Sequence, residues 1–415
     1  MNRCTSLHHG YTPRRRMMPC LIVALILVVA AVLVQPSAAH LGPPTNLTVS
    51  GLSSGAYMAV QFHVAYSSEV DGAGIVAGGP YYSSQGNVIT ALSSMEDPSI
   101  INLSLISTQI SAAAAVMSID SPTNLARSNA WVFAGKLDVT VNPGVGRLLA
   151  DQYRSYGVNV TTVFDVPAAH AFPTDNWGNP CNYTGPIYIN NCGLDAAKEI
   201  LLNVYPQLRN TWKPPVTPNL DNLIPINQGA YVPSSWKLFT LESLGLQPVA
   251  YTYYPTNCQR RRPWNSCPVH VAFHGCRQTL DHIGTDFIVH SGYLRWAEAN
   301  DIIVVFPQSR MNTLNPKGCF DWWGFTGTAF ATKLGAQLGT SYNMAIAVRD
   351  FNSFVRANAS EVEGILRRHY ERRKASPLAT AYGAGLASSS ALSSSDKTTS
   401  ASQVPVSTPN VFPLA

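Results

Sequence analysis

The stretch Thr48-Val49-Ser50-Gly51-Leu52-Ser53-Ser54-Gly55-Ala56 decides the fold. A short apolar run, Leu47 to Val49, leads into Gly-x-Ser-x-Gly. An Ala-rich run with apolar periodicity, Ala56 to Tyr66, follows. Strand, tight turn and helix in that order form the setting of a nucleophile elbow. Glycines suit both flanks because the serine sits on a strained turn, where a side chain before or after it would meet neighbouring backbone. The helix start behind the turn also brings backbone N–H groups near the serine oxygen. Ser53 is therefore the candidate nucleophile.

Working outward, residues 47 to about 172 alternate apolar strands with helices. Strands are predicted over Gly72 to Ala77, Ala130 to Gly135 and Val158 to Val166, and helices over Asn102 to Met117 and Gly144 to Tyr156. That alternation means an α/β chain with a mainly parallel sheet and helices on both faces. A nucleophilic serine needs a base, and the base needs an orienting acid. In sheet hydrolases the acid follows a later strand and the histidine follows the next one. Asp138 stands just past the strand ending at Gly135, and His170 just past the strand ending at Val166. Asp165, within or at the end of its strand, and Asp175, beyond the histidine, are the rival acids. His63, His274, His282 and His290 are the rival bases.

A tetrahedral oxyanion needs two N–H donors. The N–H of Ser54, next to the nucleophile, is one. The other comes by custom from a loop after a strand that precedes the nucleophile, and here nothing before residue 47 can supply it. It is found later: the predicted strand Val269 to Phe273 runs into His274-Gly275-Cys276-Arg277-Gln278, a His-Gly turn at a strand end. The N–H of Cys276 is the second candidate donor. A further strand, Ile302 to Phe306, and a helix from Met344 to Tyr370 also arrive late; another helix is predicted over Gly284 to Ala299. This motif order is that of an α/β-hydrolase fold, circularly permuted so that the chain enters the sheet at the nucleophile strand. The two ends of the domain must then lie close together.

From 173 to about 245 the texture changes. Pro, Asn and Trp are frequent and only Leu194 to Leu208 reads as helix, so this segment is expected to be a cap-like insertion. A strand resumes at Pro248 to Tyr254. After Lys374 the chain becomes rich in Ser, Ala and Thr without periodicity, and is expected to be a disordered tail over 374–415.

The N-terminus carries Arg14-Arg15-Arg16, an apolar run from Leu21 to Val34, and the small residues Ser37 and Ala39. This is the pattern of a signal peptide over 1–39. The run is short of the roughly 20 residues of a membrane span, so secretion without lasting membrane association is expected. Of eight cysteines, Cys4 and Cys20 fall in the removed segment. An even remainder in an exported chain suggests disulfides. Proximity favours Cys181–Cys192 and Cys258–Cys267, which leaves Cys276–Cys319. No Cys or His spacing suggests a metal. Only 12% of the 415 residues are charged and the formal net charge is +5. Arg260-Arg261-Arg262 lacks the interleaved aromatics of a nucleic-acid site. Sequons at Asn46, Asn102, Asn159, Asn182 and Asn358 are about as many as chance would place in such a chain.

Four separated stretches resemble secreted poly(3-hydroxybutyrate) depolymerases with a circularly permuted catalytic domain. They are Gly51 to Gln61, Ala77-Gly78-Gly79-Pro80-Tyr81-Tyr82, His270 to Gln278, and Gly318-Cys319-Phe320-Asp321-Trp322-Trp323-Gly324. The resemblance covers roughly residues 45 to 345. It implies hydrolysis of ester bonds in short-chain polyhydroxyalkanoates or their oligomers, without a cofactor; a monomer is expected. It maps the family's triad onto Ser53, Asp138 and His170, its oxyanion donors onto Ser54 and Cys276, and its Trp-containing motif onto Trp322 and Trp323. Adjacent tryptophans after a disulfide also suit an apolar ester pocket on chemical grounds. Ser83 and Ser94 stand where family members often carry cysteines, and no separate polymer-binding domain follows the Ser/Thr-rich tail. A feruloyl or acetyl-xylan esterase is the alternative enzyme, and a surface adhesion protein the non-enzymatic one. The signal-peptide reading carries its own test: N-terminal sequencing of exported protein should begin at His40, and an intact residue 1–39 segment would refute it.

Overall fold

The computed structural model describes residues 45–260 and 267–349. The expected signal peptide, Arg261 and Arg262 of the basic run, the helix expected beyond Arg349, Asn358 and the tail 374–415 lie outside the described residues.

An eight-stranded sheet carries the fold. Its strands are β1 (Leu47–Leu52), β2 (Gly72–Val76), β3 (Asn129–Phe133), β4 (Asn159–Val163), β8 (Leu223–Asn227), β9 (Val249–Tyr253), β10 (Val269–Phe273) and β11 (Ile303–Phe306). A second, small sheet holds β5 (Phe172–Thr174), β6 (Asn179–Pro180) and β7 (Ile189–Asn191). The spatial order of the large sheet is β4-β3-β2-β1-β10-β11-β9-β8. From β4 to β11 all neighbours are parallel; β9 and β8 close one edge antiparallel. β1, which leads into the candidate nucleophile Ser53, is thus central, flanked by β2 from the first half of the chain and β10 from the second.

Parallel strands covered on both faces must be apolar on both, and alternate residues here serve opposite cores. Val49, Ile75, Val132, Val271 and Val305 join one core. It also takes α1 (Ser54–Ala65) and α8 (Ala336–Arg349). Val76, Trp131, Phe133, Ala272 and Val304 join the other, with α5 (Ala196–Val204) and α7 (Tyr293–Asn300). Thr48 and Ser50 are the polar exceptions in β1. Both are buried, and both bond to the His270 ring at 2.7 Å, with Tyr205 and Tyr293 completing their partners. That satisfaction is what permits hydroxyls in the middle of the sheet.

The circular permutation requires the ends of the domain to lie close together, and the first and last described residues do. Thr45 donates its hydroxyl to the Glu69 carbonyl oxygen, and Arg349 pairs with the Glu69 carboxylate at 3.0 Å.

Three sequence expectations are corrected. The segment 173–245 is not a single cap: α5 packs on the sheet face and β8 extends the sheet itself. Leu-Ile-Pro-Ile-Asn reads poorly as a strand because Pro225 cannot donate to a ladder, and an edge is where such a residue is tolerated. The helix expected over Gly284 to Ala299 is broken into α6 (Asp286–His290) and α7, because Gly292 takes φ 95° between them. The last helix begins at Ala336, eight residues before Met344. The longest of the helices not foreseen is α2 (Val88–Glu96), capped by the Asn87 side chain, which accepts from the N–H groups of Ile89 and Thr90. The remaining α-helices among the described residues are α3 (Leu103–Ala115), α4 (Pro143–Ser155) and two short ones, Thr256–Arg260 and Leu280–Ile283.

The two glycines of the opening stretch are tested directly by geometry. A Cβ on Gly51 would stand 2.1 Å from the carbonyl oxygen of Gly55. A Cβ on Gly55 would stand 2.3 Å from the carbonyl oxygen of His274 and 2.5 Å from that of Phe273. Backbone from both halves of the chain therefore meets at Gly55. Gly55→Ala should cost roughly 1–3 kcal/mol of stability by overpacking, read as a lower denaturation midpoint. It should also depress ester hydrolysis more than the stability loss explains; unchanged midpoint and activity would contradict this contact.

Candidate active site

Ser53 sits at φ 55°, ψ −123°, a conformation that a non-glycine residue adopts only under constraint. The constraint is visible. Its N–H donates to Val76 at the end of β2 (3.0 Å), and its carbonyl oxygen accepts from Ala56 and Tyr57 at 2.8 and 3.0 Å, starting α1. The chain is thus turned sharply between strand and helix, with the side chain at the apex.

The loops after β3 and β4 are laced together. Lys136 and Leu137 donate their N–H groups to Val166 and Ala168 at 2.9 and 3.0 Å. This brings Asp138 to His170, whose Nδ1–H donates to Asp138 Oδ2 at 2.8 Å. The other carboxylate oxygen accepts from the N–H groups of Thr140 and Val141 at 2.9 and 2.8 Å. Asp138 is therefore held on both sides, and the ring it holds keeps Nε2 free for proton transfer. Ser53 and His170 share the wall of one cavity of about 280 Å³, together with Gly275, Cys276 and Arg277. Among the described residues no hydrogen bond joins Ser53 to His170; the two meet across the cavity wall. Such links in ligand-free sites are often long and tighten only with substrate bound.

The rivals are engaged elsewhere. Asp165 is exposed, and Asp175 pairs with Arg295 at 2.6 Å. His63 bonds to the Tyr153 hydroxyl, His282 to Thr279, and His290 stacks on Trp177.

The His-Gly-Cys corner lies against the elbow. Cys276 borders Ser53 in the large cavity and again in an adjoining one of about 110 Å³. Neither the Ser54 N–H nor the Cys276 N–H has an acceptor among the described residues. Backbone donors in folded interiors are seldom left without one. The Cys276–Cys319 disulfide ties this corner to the segment carrying Trp322, and Cys181–Cys192 and Cys258–Cys267 are the other two bridges.

Trp322 and Trp323 line the smaller cavity. Trp322 is buried and stacks on Tyr57, ring centres 4.0 Å apart, while Trp323 stands nearly perpendicular to it. Asp321 sets this turn: its carboxylate accepts from the N–H groups of Gly324, Phe325 and Thr326 at 2.7–3.0 Å, and from the Thr326 hydroxyl at 2.6 Å. Burial pushes the Asp321 carboxyl up, and these donors pull it back. Among the described residues Lys317 is the one charged residue lining this cavity; burial, and then Arg277, push it down to about 8.

Sequence reasoning missed the opposite wall. Leu92 and Met95 of α2 line both cavities, and Thr184 and Tyr188 of the small-sheet region line the larger. Asn87 as a helix cap, followed by Val88, Leu92 and Met95 at helical spacing, was the available signal for α2. Nothing local marks Tyr188. Among the described residues no cluster of three His, Cys, Asp or Glu side chains could hold a metal, and no helix is long and apolar enough to cross a membrane.

No family model matches the chain. Over 300 residues it is 35% identical to a poly(3-hydroxybutyrate) depolymerase of Delftia acidovorans, covering 71% of this chain and 58% of that protein. It is 33% identical over 304 residues to the polyhydroxybutyrate depolymerase of Talaromyces funiculosus, covering 69% and 84%. The crystal structure of PHB depolymerase from Penicillium funiculosum superposes with a TM-score of 0.63 at 29% identity, over 73% of this chain and 95% of that one. A PHB depolymerase complexed with an R3HB trimer superposes with a TM-score of 0.62 at 28% identity, over 74% and 95%. The sheet order and these likenesses define a circularly permuted α/β hydrolase. The chain belongs to the poly(3-hydroxybutyrate) depolymerase family. Its match spans a little over half the length of the Delftia protein.

Asp138→Asn preserves size but presents an N–H where the His170 proton must be accepted. It should leave the thermal midpoint nearly unchanged while kcat falls by about 10⁴, as loss of the correct tautomer does in such triads. A fall of less than tenfold in steady-state kinetics would remove Asp138 from the reaction.

Proposed function

We propose that the chain is a secreted serine esterase that cleaves ester bonds of poly(3-hydroxybutyrate) or its oligomers. The observation that carries the reading is the pair of acceptor-free N–H groups, Ser54 and Cys276, bordering the strained Ser53 in the cavity that His170 also lines.

In this mechanism Ser53 Oγ attacks the ester carbonyl carbon as His170 Nε2 takes its proton. Asp138 holds the imidazole and stabilises its charged form. The carbonyl oxygen becomes an oxyanion and is received by the two N–H groups, which need no reorganisation to meet it. Collapse expels the alcohol end of the chain, protonated by His170, and leaves an acyl group on Ser53. Water, activated by the same histidine, then releases the acid and restores the serine. All the chemistry is carried by side chains and backbone amides, and no cofactor enters the scheme.

The apolar part of the walls suits an aliphatic ester: Leu92, Met95, Val139 and the tryptophans line the cavities, interspersed with the polar side chains of Glu96, Thr140, Thr184, Tyr188, Arg277, Asn315 and Lys317. Around the cavities Val88 and Val139 are 47% and 84% exposed, and Leu314 is 68% exposed. An apolar rim of this kind suits adsorption to an amorphous polyester surface. The trimer complex of a structural relative supports the same substrate class. Secretion accords with three disulfides. The enzyme is taken to act as a monomer, since one chain supplies every group of the scheme.

Purified protein should clear a suspension of amorphous poly(3-hydroxybutyrate) and release hydroxybutyrate monomer or dimer. Ser53→Ala should lose this activity by about 10⁴-fold or more. Equal clearing by the variant would end the proposal, and faster turnover of a feruloyl or acetyl sugar than of hydroxybutyrate trimer would redirect it.

A further inference from the structure

His274 lies at the junction between β10 and the oxyanion corner, fully buried. The acid–base chemistry does not use it. Its two ring nitrogens face backbone groups of fixed polarity. Nδ1 lies 2.7 Å from the Gly275 carbonyl oxygen, which can only accept. Nε2 lies 3.3 Å from the Ser309 N–H, which can only donate. Together they admit one neutral tautomer, with the proton on Nδ1. The Ser309 hydroxyl is 3.4 Å from Nε2, but it already donates to the Gly318 carbonyl oxygen at 2.6 Å. Burial pushes His274 down to about 4, so the ring is neutral at ordinary pH.

The Gly275 carbonyl belongs to the same peptide unit as the Cys276 N–H. In a planar trans peptide the C=O and N–H point in opposite directions. Holding the oxygen against the imidazole therefore aims the N–H the other way. A hydrogen bond to a peptide oxygen also polarises the unit and strengthens its N–H as a donor. The preceding peptide is held separately: Gly275 N–H donates to Gln278 Oε1 at 2.7 Å, and Gln278 Nε2 donates to the Ile187 carbonyl oxygen at 2.8 Å.

We infer that His274 is a positioning residue, whose Nδ1–H aims and polarises the Gly275–Cys276 peptide for the oxyanion. The inference rests on the donor role proposed above for Cys276. It touches no substrate; it acts through the peptide.

The test uses His274→Asn, whose amide can place an N–H near the Nδ1 position, and His274→Gln, whose amide reaches the Nε2 position instead. With a soluble hydroxybutyrate trimer, His274→Gln should lower kcat by ~10–100-fold, less than loss of a whole oxyanion donor. KM should stay within about twofold, because the donor acts on the transition state rather than on bound substrate. Binding of an alkylboronic acid, which forms a tetrahedral adduct on the serine, should weaken by a similar factor. His274→Asn should recover most of the loss. Equal kcat in His274→Gln and wild type, or equal losses in both variants, would overturn the inference. Should the variants fail to fold, nitrogen-15 NMR of the wild-type imidazole decides: a proton on Nδ1 alone supports the assignment and a proton on Nε2 refutes it. Wild-type protein inert on the trimer would instead remove the function proposed above, and this role with it.

Discussion

Close backbone approach at Gly55 is the constraint on which the rest of the structure depends. The elbow must turn from β1 into α1 within one residue, and the end of β10 must lie against that turn. Only a residue without a Cβ leaves room for the carbonyl oxygens of Phe273 and His274. The strain at Ser53 is sustained because every neighbour is fixed: β2 by a hydrogen bond, α1 by its first turn, and β10 by parallel pairing in which Gly51 stands opposite Phe273. A loosely held turn would relax out of φ 55° and withdraw the hydroxyl from the cavity.

The site is divided between the halves of the chain along this contact. The first half supplies the candidate nucleophile Ser53 and the bonded Asp138–His170 pair. The second supplies the Cys276 corner and the Trp322–Trp323 turn. Each second-half element is braced independently. The corner has the disulfide to Cys319 and the His274 and Gln278 hydrogen bonds; the tryptophan turn has the buried Asp321 carboxylate. Redundant bracing suits groups that must meet a transition state without moving. It also accounts for the burial of His274, Gln278 and Asp321, whose polar groups have their partners here.

The permutation changes the order of assembly rather than the architecture. In the permuted order the residues just before β1 and the end of α8 must lie close together, and Glu69 receives both Thr45 and Arg349. The elements that would precede the nucleophile in the unpermuted order pair with β1 from the far side of the sheet instead.

Much of this was legible in the linear chain. Gly-x-Ser-x-Gly between an apolar strand and an apolar helix is local chemistry, and it located β1 and α1 within a few residues. Strand ends located Asp138 and His170, because a loop residue's position after a strand is itself a local property. Cysteine proximity led to three pairings that the structure contains. What tertiary structure alone decided was the company these residues keep. Leu92, Met95 and Tyr188 line the cavity because distant segments are packed there, and no periodicity in their own stretches says so. β8 was read as part of a cap because Pro225 hides a strand that only an antiparallel neighbour makes. The acceptor-free N–H groups of Ser54 and Cys276, and the single tautomer of His274, depend on the directions of individual peptide planes. Side-chain type sets which groups can bond; only the packed backbone sets where each donor points.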